Sequence, residues 1–121
     1  MATGLENLEI YKLAVRLEIF VYKVLKTFPA DEKYRSVDNL KRSSSSVPNN
    51  IVESYGKYSF GVKINHLYIA RGEAEETKSG VERAFKKEFI TKKIADFISC
   101  KYIELIKGIN GCIKFLKEQK N

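Results

Sequence analysis

Residues that carry chemistry are scarce in this chain. Among its 121 residues there are one histidine, two cysteines and two prolines. The histidine, His66, stands beside Asn65 with no carboxylate and no Ser or Cys nucleophile at useful spacing, so it reads as a polar surface or interface residue. Ser43, Ser44, Ser45 and Ser46 form a run with nothing nearby to activate a hydroxyl. Cys100 and Cys112 lie twelve residues apart on one helical segment, roughly 18 Å at 1.5 Å per residue, too far to bridge each other. Neither has a His or second Cys nearby to share a metal, so both are expected as buried free thiols of a reducing cytoplasm. Glu73, Glu76 and Glu82 lack the Glu-x-x-His element of di-iron bundles. A glycine-rich phosphate loop is absent. No apolar run approaches the ~20 residues that cross a bilayer, and the first seven residues lack the regions of a signal peptide. The expectation is a protein that is not an enzyme, with no metal, cofactor, small-molecule substrate or membrane partner.

What is abundant is positive charge and helical periodicity. Lys and Arg number 22 against 15 Asp and Glu, a net charge of +7. Residues 86–121 hold nine basic and four acidic side chains, so +5 of the total falls in that stretch. Clustered charge of one sign points to a polyanionic partner; the alternative is an ordinary solvated surface. A length of 121 residues suits one domain, 1–121, with a core of its own.

Four segments repeat apolar residues at intervals of three and four. In the first, about 8–27, Ile10, Ala14, Leu17, Val21, Val24 and Phe28 form one stripe, and Leu8, Tyr11, Val15, Tyr22 and Leu25 a second, so the helix must be covered on two sides. Pro29 ends it. The second, about 31–58, carries Val37, Leu40, Ser44, Val47, Ile51, Tyr55 and Tyr58 through a stretch whose serines and asparagines otherwise signal a turn. Periodicity favours one helix bent at Pro48, with small serines admitting a neighbour. Ser59 can cap the third segment, where Leu67, Ala70, Ala74, Thr77, Val81 and Ala84 make a small-residue stripe. Thr91 can cap the fourth, which presents Ile94, Ile98, Tyr102, Leu105, Ile109, Cys112 and Leu116, with Phe97, Ile103, Ile106 and Ile113 on a second face. Asn50 and Glu53, one turn apart, are expected as a buried polar pair tying helices together. No strand alternation competes. The fold class is all-α, an antiparallel up-down four-helix bundle with a Pro-kinked second helix.

The wording of these segments resembles the family of 23S rRNA intervening-sequence proteins. Asn7-Leu8-Glu9-Ile10-Tyr11-Lys12-Leu13-Ala14 is similar to its opening. Ser46-Val47-Pro48-Asn49-Asn50-Ile51-Val52-Glu53 resembles its central signature, and Tyr68-Ile69-Ala70-Arg71-Gly72-Glu73 the third-helix element. Asn39, Ser36, Thr77, Ser54 and Arg71 depart from the family's usual residues. The resemblance implies a four-helix bundle that assembles into a ring, a homopentamer, and it attaches no settled activity. An oligomer also agrees with the excess apolar surface of the first and fourth segments.

The residues available for binding are Lys86, Lys87, Lys92, Lys93, Lys101, Lys107, Lys114 and Lys117, with Lys41 and Arg42 as further candidates. Phosphate contacts of this kind hold rRNA or another nucleic acid without reading its sequence. Repetition around a ring multiplies a modest affinity per subunit. The competing expectation is a protein–protein scaffold whose lysines only keep it soluble.

Overall fold

Four long helices account for nearly all of the chain. The computed structural model describes residues 2–120 and the side chains of residues 9–119. The elements are α1 (Ala2–Leu25), α2 (Asp38–Tyr55), α3 (Phe60–Lys86) and α4 (Lys92–Lys120). A single 3-10 turn (Ala30–Glu32) and a π turn (Lys33–Val37) join α1 to α2. No strand occurs among the described residues. Consecutive helices pack on one another and α1 closes on α4. Ser43 meets Thr77, Asn50 meets His66 and Ser54 meets Lys63, so numbers rise along α2 as they fall along α3. The Phe20–Phe97 ring pair and the close approach of Ile10 to Gly108 do the same for α1 and α4. Both pairs of helices therefore run antiparallel.

The stripes of all four helices supply the core, α2 through Leu40, Val47 and Ile51. Ala14, Leu17 and Val21 from α1 and Leu67, Ala70 and Ala74 from α3 are buried with Ile98, Tyr102, Leu105 and Ile109 from α4. Small residues on α3 face large ones on α4, which lets the two interdigitate at native density. Close approach is enforced at two glycines. A Cβ on Gly80 would come within 2.7 Å of Leu40 Cδ2, and one on Gly108 within 2.7 Å of Ile10 Cγ2. Burying each Leu or Ile of this core contributes about 1.5–3 kcal/mol. Leu8 lies outside the described side chains. Tyr11 and Tyr22 stay partly exposed, and so do Ile19 on α1 and Phe97 and Ile103 on α4.

In α2 serines share the inward face with apolar residues. Ser43 and Ser44 are buried, their small volume admitting neighbours. The Ser43 and Thr77 hydroxyls are 2.7 Å apart, and Thr77 donates to the Glu73 carbonyl at 2.9 Å. Ser45 donates to the Arg42 carbonyl at 3.1 Å. These bonds, one between helices and two within a turn, satisfy hydroxyls that burial would otherwise penalise. The helix runs on through the buried Pro48.

The structure corrects the expected span of this helix. Coiling between 31 and 58 is not one continuous α-helix: Arg35 leaves helical geometry (φ −123°, ψ −106°), and regular turns begin only at Asp38. Glu32 is buried there and accepts a 2.5 Å bond from Ser36 Oγ, a local contact that periodicity cannot reveal. At the other end α2 stops at Tyr55, where Lys63 Nζ donates to the Ser54 and Tyr55 carbonyls at 3.3 and 3.2 Å. Tyr55 and Tyr58 therefore face solvent. The fully buried Ser54 takes the inward position and donates to the Lys63 carbonyl at 2.9 Å.

Two further expectations are corrected. Cys112 is buried, but Cys100 is exposed. It stands two residues from both Ile98 and Tyr102, about 200° round the helix from the core face. Asn50 and Glu53 are not a buried pair. Asn50 is half-buried and donates to Ser46 O at 2.9 Å, while Glu53 is exposed and pairs with Lys57 at 3.4 Å. The partner of Asn50 across the interface is His66, whose Nδ1 donates to Asn50 Oδ1 at 3.1 Å. Ser59 and Thr91 cap their helices as expected, accepting from Val62 N at 3.4 Å and Ile94 N at 3.3 Å.

Candidate nucleic-acid interface

The turn after α3 shapes one end of the bundle. Glu88 adopts a left-handed conformation (φ 66°). Phe89 N donates to Ala84 O and Glu88 N to Phe85 O, both at 2.9 Å. This is the Schellman arrangement, which satisfies carbonyls left open at a helix end and reverses the chain sharply. Phe89 then packs on Phe28, ring centroids 5.3 Å apart, joining the two connections at this end. Lys86 and Lys87 before the turn and Lys92 and Lys93 after it are thereby placed on the same end of the molecule, all exposed.

Beside this turn, the start of α2 and the end of α3 enclose a groove of about 200 Å³. Arg35 and the neutral side chains of Ser36 and Asn39 line it from one side, Arg83 and Lys87 from the other, with Glu76 further along α3. Arg83 Nη1 donates to Ser79 Oγ at 2.6 Å. Among the described residues, none of Arg35, Arg83 and Lys87 has a carboxylate within ion-pair distance. The Glu32 carboxyl is held below the usual carboxylate range, first by its bond from Ser36, against the opposing effect of burial, and then by the fields of Lys87 and Arg35.

The other expected binding residues are dispersed. Arg42 is engaged across α2 and α3, at 3.0 Å from Glu73 and in a second contact with Glu76. Lys41 lies over the Tyr22 ring, 5.7 Å from its centroid. Lys101 contacts Glu104 at 3.7 Å and Lys92 contacts Asp96 at 2.7 Å. Lys107 and Lys114 are exposed along α4. Lys117 and Arg71 lie over the Tyr68 ring at 5.4 and 4.9 Å, and Arg71 bonds Asn110 at 2.8 Å. From Lys92 to Lys117 is roughly 38 Å along the axis at 1.5 Å per residue. The ten cations therefore do not form one patch. Lys86, Lys87, Lys92 and Lys93 come together; the rest do not.

Arg35 and Arg83 are the residues that sequence reasoning missed. Arg83 and Lys87 stand at i and i+4 near the end of α3, a spacing that places both on one face and was legible in principle. Arg35 was not, because the break in helical geometry decides where it lies. Among the described residues no group of three or more His, Cys, Asp or Glu could hold a metal ion. No described helix is long and apolar enough to cross a membrane.

Basic side chains displayed by an all-helical bundle define a class of protein rather than a reaction. The family description "23S rRNA-intervening sequence protein" matches residues 6–111, and the chain belongs to that family. Among solved structures it is similar to a protein of unknown function from the S23 ribosomal protein family of Bacteroides thetaiotaomicron. The identity is 24%, the TM-score 0.83, and the match covers 90% of this chain and 98% of that one. At that identity the likeness shows the fold alone. The curated proteins contain no significant match.

Proposed function

We propose that this protein is a non-enzymatic, ring-forming bundle of the cytoplasm that binds RNA through phosphate contacts without reading sequence. The observation that carries the reading is the convergence of Arg35, Arg83 and Lys87 on one groove, next to Lys86, Lys92 and Lys93. Cations without carboxylate partners are free to neutralise phosphates, and the counterions that the nucleic acid then releases drive binding. Self-association is favoured by Ile19, Phe97 and Ile103, each 43–49% exposed on α1 and α4. Large apolar side chains so placed gain by being covered by another copy, and a homopentamer would repeat the basic end around one axis.

The test is retention of structured rRNA fragments by the wild-type protein and by a variant with Lys86, Lys87, Lys92 and Lys93 changed to Glu. Binding at low salt should collapse in the variant. For the wild type it should weaken steeply with salt, about 0.7 in logarithmic slope for each phosphate neutralised on a single strand. Wild-type protein that retains no RNA at low ionic strength overturns the reading. Capture of a protein partner unaffected by the charge reversal favours the scaffold instead.

A further inference from the structure

The groove between α2 and α3 is selective in a way that scattered lysines are not. We infer that it receives the terminal phosphate of an RNA strand, an inference that rests on the RNA-binding reading above. Three properties of the groove lead there. Its volume, about 200 Å³, is below the ~300–1,000 Å³ of ordinary small-molecule pockets, so it suits one ionic group better than a whole metabolite. Its lining carries three cations, Arg35, Arg83 and Lys87, against the single carboxylate of Glu76. That excess of two matches a terminal phosphomonoester, which bears about −1.5 to −2 at pH 7 and offers three free oxygens. An internal phosphodiester bears one charge, offers two such oxygens, and needs room for chain on both sides.

The donors also suit the task. Two guanidinium groups present planar forks that match phosphate oxygens, Lys87 adds a point charge, and Asn39 adds a neutral amide. The nearby carboxylates are already engaged: Glu76 by Arg42 and Glu32 by the Ser36 hydroxyl. Glu32, which is not part of the lining, keeps its charge and acts on Lys87 and Arg35 through its field, so it competes with any anion that enters.

The experiment measures binding of one single-stranded RNA oligonucleotide in three forms, with a 5′-phosphate, a 3′-phosphate or neither, by fluorescence anisotropy. Wild type is compared with Arg83→Ala, Glu32→Gln and a Lys107→Ala/Lys114→Ala control on the exposed length of α4. Arg83 is exposed, so its replacement spares the core. At least one phosphorylated form should bind about tenfold tighter than the unphosphorylated one, the scale of hydrogen bonds to a charged group. That advantage should vanish in Arg83→Ala, grow in Glu32→Gln and persist in the lysine control. Equal binding of all three forms overturns the inference while leaving RNA binding intact. An advantage that survives Arg83→Ala overturns the assignment to this groove. Loss of the advantage to micromolar inorganic phosphate means the groove takes free phosphate, and also overturns it. No binding of any form overturns the RNA-binding reading as well.

Discussion

Replacing Tyr102 with Phe tests the account of the core most directly. Tyr102 is fully buried on α4, and its hydroxyl has no hydrogen-bond partner among the described residues. Burial raises its pKa far above the ordinary tyrosine range; the nearby Thr77 hydroxyl partly offsets this and the charge of Glu18 adds to it. The Thr77 hydroxyl is itself engaged with Ser43 and the Glu73 carbonyl. An unpaired buried hydroxyl costs about 1–3 kcal/mol, so Tyr102→Phe should be neutral or stabilising by about 1 kcal/mol at pH 7. In a domain of this size that raises Tm by roughly 4 °C. The alkaline limb sharpens the test. A group whose folded pKa is raised contributes stability in full below its unfolded pKa, near 10, and loses it as pH climbs toward the folded value. The unfolded tyrosine releases a proton that the folded one keeps, so wild type should lose about 1.4 kcal/mol per pH unit above pH ~10 relative to Tyr102→Phe. Urea denaturation of both proteins at pH 7, 10 and 11 measures the difference, and the other tyrosines cancel between them. Destabilisation by 1 kcal/mol or more at pH 7, or a difference that stays flat with pH, would refute the reasoning.

Two further outcomes follow from local geometry. Glu88→Gly removes a side chain from a left-handed position, where an L residue is disfavoured by about 1–2 kcal/mol; thermal unfolding should show stabilisation of about 1 kcal/mol, and RNA should bind more tightly once that carboxylate leaves the lysine end. Glu32 has a lowered pKa in the folded state, so its contribution is present above its ordinary value of 4.5 and is lost as pH falls through the lowered one. Ser36→Ala removes the leading cause of that shift. Its stability deficit should be largest above pH 5 and shrink toward pH 3 in acid denaturation, and a deficit independent of pH would show that the bond does not depend on the Glu32 charge.

Regular periodicity made α1, α3 and α4 readable, because a residue's place on a helix face is fixed by spacing alone. The buried Leu67, Ala70, Ala74, Thr77, Val81 and Ala84 occupy the expected stripe of α3. In α2 the expected stripe is buried from Val37 to Ile51; the rule failed only beyond it, where Ser54 and not Tyr55 turns inward, and it did not foresee the break in the helix at Arg35. It also misplaced Glu53, since three-residue spacing says which residues are neighbours but not whether their shared edge faces a helix or water. The basic end was half legible. Lys86, Lys87, Lys92 and Lys93 are close in sequence and stay close in space. Arg35 is far from Arg83 along the chain and reaches the same groove only because α2 and α3 pack side by side.

By itself, then, the sequence determined the number of helices, the composition of their inward faces, the excess of positive charge and the scarcity of histidine and cysteine. Each of these depends on neighbours a few residues apart. Tertiary structure alone decided which cations share a groove, which carboxylates are already engaged, and that Asn50 answers to His66 rather than to Glu53. Those pairings join residues 16 to about 50 positions apart, and only the packing of one helix against another brings such distant groups within reach.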